Sequence, residues 1–169
     1  MSKKSVEEYQ EFVYSLGGGD IDDTLYTHPL VTWMVRTFWL ALGIWSLWHG
    51  LKEHTFVYAF VDYAILAFCL WRLLYQGLPQ AFICKKGLIL RRQPVDLRET
   101  LQSFGHGKEL FVFVPYETII GFSEGWNELQ LTDSTSGGIL VLSIDIKFVS
   151  YDDKMAMCNR IEQEKNHSE

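Results

Sequence analysis

The sequence predicts a membrane α+β protein: a two-helix transmembrane hairpin followed by a small antiparallel β-barrel or sheet, capped by a C-terminal helix. Three observations predict it. Two apolar runs, at 29–51 and 56–76, lie almost end to end, and each has the roughly twenty residues that cross a hydrocarbon core of about 30 Å. Five of the six tryptophans (Trp33, Trp39, Trp45, Trp48 and Trp71) fall in those runs, as residues seated at headgroup level do. From Gln80 onward the pattern changes to short strand-like segments bounded by turn residues. The boundaries this implies are 1–28, an N-terminal amphipathic helix and linker; 29–76, the hairpin; and 77–169, the β-domain with its helix.

In the N-terminal segment, Ser5 and Glu8 stand at capping-box spacing. Val6, Tyr9, Phe12, Val13 and Leu16 recur on one helical face, and Gly17–Gly19 end the helix. Glu7, Glu8 and Glu11 on the other face suit an anionic lipid surface poorly, so this helix is expected to dock on the β-domain. Asp20, Asp22 and Asp23 lack the glycine and distal glutamate of a calcium loop and read as turn and cap residues.

Only Lys52–Thr55 separates the two apolar runs, which makes a tight antiparallel hairpin. Lys3, Lys4, Arg36, Arg72, Lys85, Lys86, Arg91, Arg92 and Arg98 all flank the ends away from the tip, which offers only Lys52. The positive-inside rule therefore places both termini in the cytoplasm. Asp62 is the one carboxylate deep in the second run. An intramembrane acid faces protein or water rather than lipid, and Gly43, Ser46 and Gly50 offer a small-residue stripe against which a helix packs closely. In a hairpin centred near residue 52, Asp62 lies level with Leu42, with Ser46 and His49 as hydrogen-bond partners and Tyr58 one turn back. Asp62, Ser46 and His49 are the candidate intramembrane polar clamp; a proton or ion site at Asp62 is the sharper alternative.

In the β-domain, "AFICKKGLILRR" reads as a hairpin turning at Lys85–Gly87, and "ELFVFVPY", "TIIGFSEG", "NELQLTD" and "ILVLSIDI" read as further strands. The segment between Pro94 and Lys108 reads as a loop with one helical turn. Ser150 is the expected N-cap of the last helix, with Asp152 and Asp153 in its first turn and Met155, Cys158 and Ile161 on its apolar face. Trp126 is the one tryptophan outside the hairpin, a core residue or a ligand platform.

Two spans, a glycine-turned hairpin, "VPYETIIGFSE", "ELQL", a strand ending "KF" and the capped "SYDDKMAMCNRI" resemble the YcxB-like family of small bacterial membrane proteins, over roughly residues 30–161. The resemblance implies an inner-membrane protein with a pleckstrin-homology-like cytoplasmic domain, a small β-barrel with a C-terminal helix. The chain differs in an extra N-terminal helix and a longer insertion at 96–108. The family as such brings no established activity and no catalytic residues.

The net charge of −6 argues against nucleic acid, whose phosphates call for a basic footprint. Cys69, Cys84 and Cys158 have no metal or redox spacing and read as free thiols. No catalytic or cofactor motif is present, so no enzyme, metal or cofactor is expected. Lys85, Lys86, Arg91 and Arg92 form a candidate membrane-surface basic patch, with topology alone as the plainer reading. Two functions follow. One is a membrane-anchored, non-enzymatic interaction or sensing module whose β-domain binds a protein partner or the membrane surface through an edge strand or the open barrel end. The other is a small transport, permeability or immunity-type protein oligomerising around Asp62. The implied partners are the bilayer, a protein bound by the cytoplasmic domain, and further copies of the chain.

Overall fold

The computed structural model describes residues 3–74, 78–103, 108–133 and 137–168. The end of the second apolar run at 75–76, His106 and the turn residues at 134–136 lie outside them.

The chain opens with α1 (Lys3–Ser15), which begins before Ser5, so Ser5 lies within the helix rather than at its cap. Gly17 has φ +90°, and the Gly18 and Gly17 amides donate to the carbonyls of Val13 and Tyr14. This is a Schellman ending, which needs a left-handed residue where a glycine stands. The expected linker then proves to be a strand, β1 (Ile21–Tyr26). It pairs antiparallel with β2 (Pro79–Cys84), matching Thr24 to Phe82 and Leu25 to Ala81. Between these partners the chain makes its excursion through α2 (Pro29–Lys52) and α3 (Phe56–Leu74). The helical hairpin is thus inserted into a β-domain whose first strand precedes it, and the described residues before the hairpin pack and pair with those after it.

Next come β3 (Gly87–Arg91), the short helix α4 (Leu97–Ser103), β4 (Phe111–Pro115), β5 (Ile119–Phe122), β6 (Glu128–Thr132), β7 (Ile139–Ser143) and α5 (Tyr151–Ser168). They build an antiparallel four-stranded sheet ordered β1-β2-β3-β4 and a three-stranded one ordered β5-β6-β7. Isolated bridges, Thr27 to Val149 and Arg92 to Ile144, join the two. β2 and β3 are buried at nearly every position because the first sheet is covered on both faces. Side chains alternate across it. Ala81, Ile83, Leu88 and Leu90 enter a core shared with Ile119, Leu129, Ile144, Met157 and Ile161. Phe82, Cys84 and Ile89 point the other way, against Val13, Tyr9, Phe12 and Leu16 of α1. Docking of α1 on the β-domain is as the sequence predicts.

The Ser150 hydroxyl accepts from the Asp153 amide at 3.1 Å and caps α5. Its inward face differs from expectation. Met157, Ile161 and Lys154 are buried, whereas Met155 is exposed. The Lys154 ammonium donates to the Lys147 carbonyl at 2.8 Å and lies over the Trp126 ring, and burial pushes its pKa down.

α2 and α3 are each long and apolar enough to cross a membrane. Only 11% of the most apolar window of each is buried. Trp33, Phe38, Ile44, Trp48, Phe56, Phe60, Val61 and Leu70 face outward. A soluble core helix would hide these residues.

Candidate functional site

The three candidate clamp residues come together within the hairpin. Gly43, Ser46 and Gly50 are the buried residues of α2, and Asp62 and Cys69 those of α3. A Cβ on Gly50 would stand 3.1 Å from the Asp62 Cβ, so the glycine permits the close approach there. The Asp62 carboxylate meets His49 Nδ1 at 2.7 Å, and His49 stacks on Trp45 at 5.4 Å between ring centroids. Ser46 behaves differently from expectation. Its hydroxyl donates to the Asp62 backbone carbonyl at 2.5 Å, not to the carboxylate. Asp62 also sits opposite Ser46–Gly50 rather than Leu42. The turn at Glu53–Thr55 moves the hairpin centre past residue 52; the Glu53 carboxylate accepts from the His54 and Thr55 amides and sets that turn. Tyr58 is exposed and takes no part.

The four basic residues are not brought into one patch. Lys85 and Lys86 occupy the β2–β3 turn, whereas Arg91 and Arg92 stand at the far end of β3. Five strand steps, from Lys86 to Arg91, separate the two pairs by about 17 Å. Lys85 pairs with Asp20 at 2.5 Å, and that contact raises its pKa and lowers that of Asp20. Arg91 is buried, donates to the Ser103 carbonyl at 2.7 Å, and has its pKa lowered by that burial. Arg92 is engaged with both oxygens of Glu99, at 2.8 and 2.5 Å. Of the N-terminal aspartates, Asp20 meets Lys85 and Asp22 meets Arg160 of α5 at 3.0 Å. They tie the N-terminal segment to the domain.

A third place has a shape suited to binding. A groove of about 470 Å³ runs between β5 and α5, lined by Ile119, Ile120, Phe122, Trp126, Cys158 and Ile161 among others. β5 pairs with β6 on one side only, so its other edge carries no strand among the described residues. Ile120 is exposed on it, and a Cβ at Gly121 would meet open space. Phe122 and Trp126 stack at 5.1 Å. Trp126 has φ 56°, a left-handed conformation that is strained for a bulky residue. The turn holds it there: its amide donates to the Ser123 carbonyl, and the Ser123 hydroxyl donates to the Asn127 side chain. Trp126 is therefore half-buried, packing against the core on one side and lining the groove on the other. Among the described residues, no three His, Cys, Asp or Glu side chains gather as metal ligands would.

No family model, curated protein or solved structure matches the chain.

Proposed function

We propose that the chain is a membrane-anchored, non-enzymatic interaction module of a bacterial inner membrane, in which a pleckstrin-homology-like cytoplasmic domain binds a protein partner. The outward-facing apolar surface of α2 and α3 supports insertion, since such a surface is at home in lipid. The basic residues beyond Arg72 support cytoplasmic termini. The observation that carries the binding reading is the unpaired edge of β5 beside an apolar groove. An extended segment added there would use main-chain hydrogen bonds for affinity and the Ile120, Phe122 and Trp126 surfaces for side-chain choice.

Asp62 supports the clamp rather than a transport pathway. Its carboxylate meets His49 of its own hairpin, its carbonyl accepts from Ser46, and the residue is buried between α2 and α3, away from a neighbouring hairpin.

The test is selection of peptides from a random library against the detergent-solubilised full chain. Binders should lose affinity at least tenfold to Ile120→Asp, with an unchanged melting temperature. Binders indifferent to Ile120→Asp would refute the β5 edge as the site.

A further inference from the structure

The end of the β-domain from which the hairpin emerges has apolar residues pointing outward on two separate loops. The first loop follows β3. There Asp96 caps α4 by accepting from the Glu99 amide at 2.7 Å, and Glu99 turns inward to Arg92 and the Val95 amide. Val95, Leu97 and Leu101 are left 86%, 76% and 56% exposed. Leu97 and Leu101 are one helical turn apart and share a face. A helix on a water-facing surface puts its acid out and its leucines in; α4 does the reverse. The second leads into α5: Phe148 before the helix and Tyr151 at its first position are exposed, and the Lys147 ammonium lies over the Phe148 ring.

Both loops lie beside the base of the hairpin. The His28 amide, one residue before α2, donates to the Phe148 carbonyl at 2.7 Å. Leu30, the second residue of α2, already faces outward. On the other side, Arg91 fixes the C-terminal end of α4 through Ser103 and lies within electrostatic reach of Arg72, near the end of α3. The Lys85–Lys86 turn, by contrast, is carried away by the length of β2, about 20 Å from where that strand starts.

Resting on the membrane reading above, we propose that the domain is seated on the bilayer by these two loops. Val95, Leu97 and Leu101 on one side of the hairpin, and Phe148 and Tyr151 on the other, enter the interfacial layer of the membrane that α2 and α3 cross. The ligand is the lipid surface itself, met through buried apolar area rather than through a cationic headgroup site. This orients the domain, keeping the β2–β3 turn far from the headgroups.

The experiment places one spin label at a time on the full chain in liposomes, through Leu101→Cys, Phe148→Cys, Lys86→Cys or Glu53→Cys. The substitutions are made in a background lacking Cys69 and Cys158, and that background without an added cysteine is the blank; Cys84 has no exposure and is shielded from the label. Collisions with oxygen, which partitions into lipid, are compared with collisions with a water-soluble nickel chelate. Labels at 101 and 148 are expected to favour oxygen, and the label at 86 to favour the chelate. A chelate preference at 101 and 148 would overturn the proposal. So would poor access by both reagents, which would mean that protein covers the loops. Labels at 53 and 86 on opposite sides of the membrane keep the membrane reading intact whichever way the loops behave; both on one side would sink that reading first.

Discussion

Val13 is the side chain through which the N-terminal helix is locked to the sheet, and replacing it gives the sharpest test of that docking. It has no exposure and packs among Phe82, Cys84, Ile89 and Phe111. Val13→Ala removes two buried carbons, at ~0.8 kcal/mol each plus a cavity term, a loss of about 2 kcal/mol. Val13→Asp brings an unpaired carboxylate into the same space, and undocking of α1 becomes the cheaper state. Releasing Val13 with the half-buried Tyr9, Phe12 and Leu16 then costs about 3–5 kcal/mol. For a domain of this size each kcal/mol lowers the melting temperature by about 3–5 °C, so Val13→Ala should fall by roughly 5–10 °C. Cys84 reports the event, because its thiol lies under α1 with no exposure. In a background lacking Cys69 and Cys158, a thiol-reactive dye followed on heating in detergent reads the exposure of Cys84. Val13→Asp should make Cys84 reactive well below the parent's transition, whereas Glu11→Ala, on the exposed face, should leave the midpoint within about 0.5 kcal/mol of the parent. An unshifted midpoint with a silent Cys84 in Val13→Asp would refute the docking argument.

Three further outcomes are expected. Asp62→Asn should be nearly silent in a detergent melt, because an amide still meets His49 and the Ser46 bond goes to the backbone; Asp62→Leu should lose about 1–2 kcal/mol by stranding His49 and crowding Gly50. A folded but functionless Asp62→Asn protein would contradict the clamp. Contact with Arg92, aided by the Val95 amide, lowers the Glu99 pKa from its usual 4.5 to about 2; its stabilising contribution is therefore full above the unfolded value and is lost as pH falls from about 4.5 toward 2. Melting temperature measured down that window should drop less in Glu99→Gln than in the parent, and equal slopes would remove Glu99 as the cause. A fragment of residues 78–168 should not unfold cooperatively by circular dichroism, since it lacks β1 and α1, and adding residues 3–27 as a peptide should restore the transition.

The hairpin was legible because its signal is local: twenty apolar residues, a small-residue stripe and one acid need no distant partner to be read. The later strands were legible for the same reason, each being a short alternating run between turn residues. β1 was not. "IDDTLY" buries only Thr24 and Leu25, and its aspartates resemble a turn. Its partner lies beyond the whole hairpin, so nothing nearby in the chain announces the pairing. The basic patch failed through the same blindness to the third dimension. Lys85 and Arg92 are close in sequence, but an extended strand between them separates what a helix or loop would have gathered. Lys154 illustrates the converse. Nothing beside it in the sequence marks this charged residue as buried, yet Trp126 and the Lys147 carbonyl together give its ammonium a buried seat. The β5–α5 groove depends on which edge of a sheet is left unpaired, a property of topology that no single segment carries.

The central claim is that a membrane hairpin interrupts one cytoplasmic β-domain between its first and second strands. Cysteine labelling in intact cells tests it most directly, with a probe at Glu53 in the hairpin tip and another at Lys108 in the β-domain. A membrane-impermeant reagent should reach Glu53→Cys without lysis and reach Lys108→Cys only after it. Labelling of Lys108→Cys in intact cells, or of neither position until lysis, would contradict the claim.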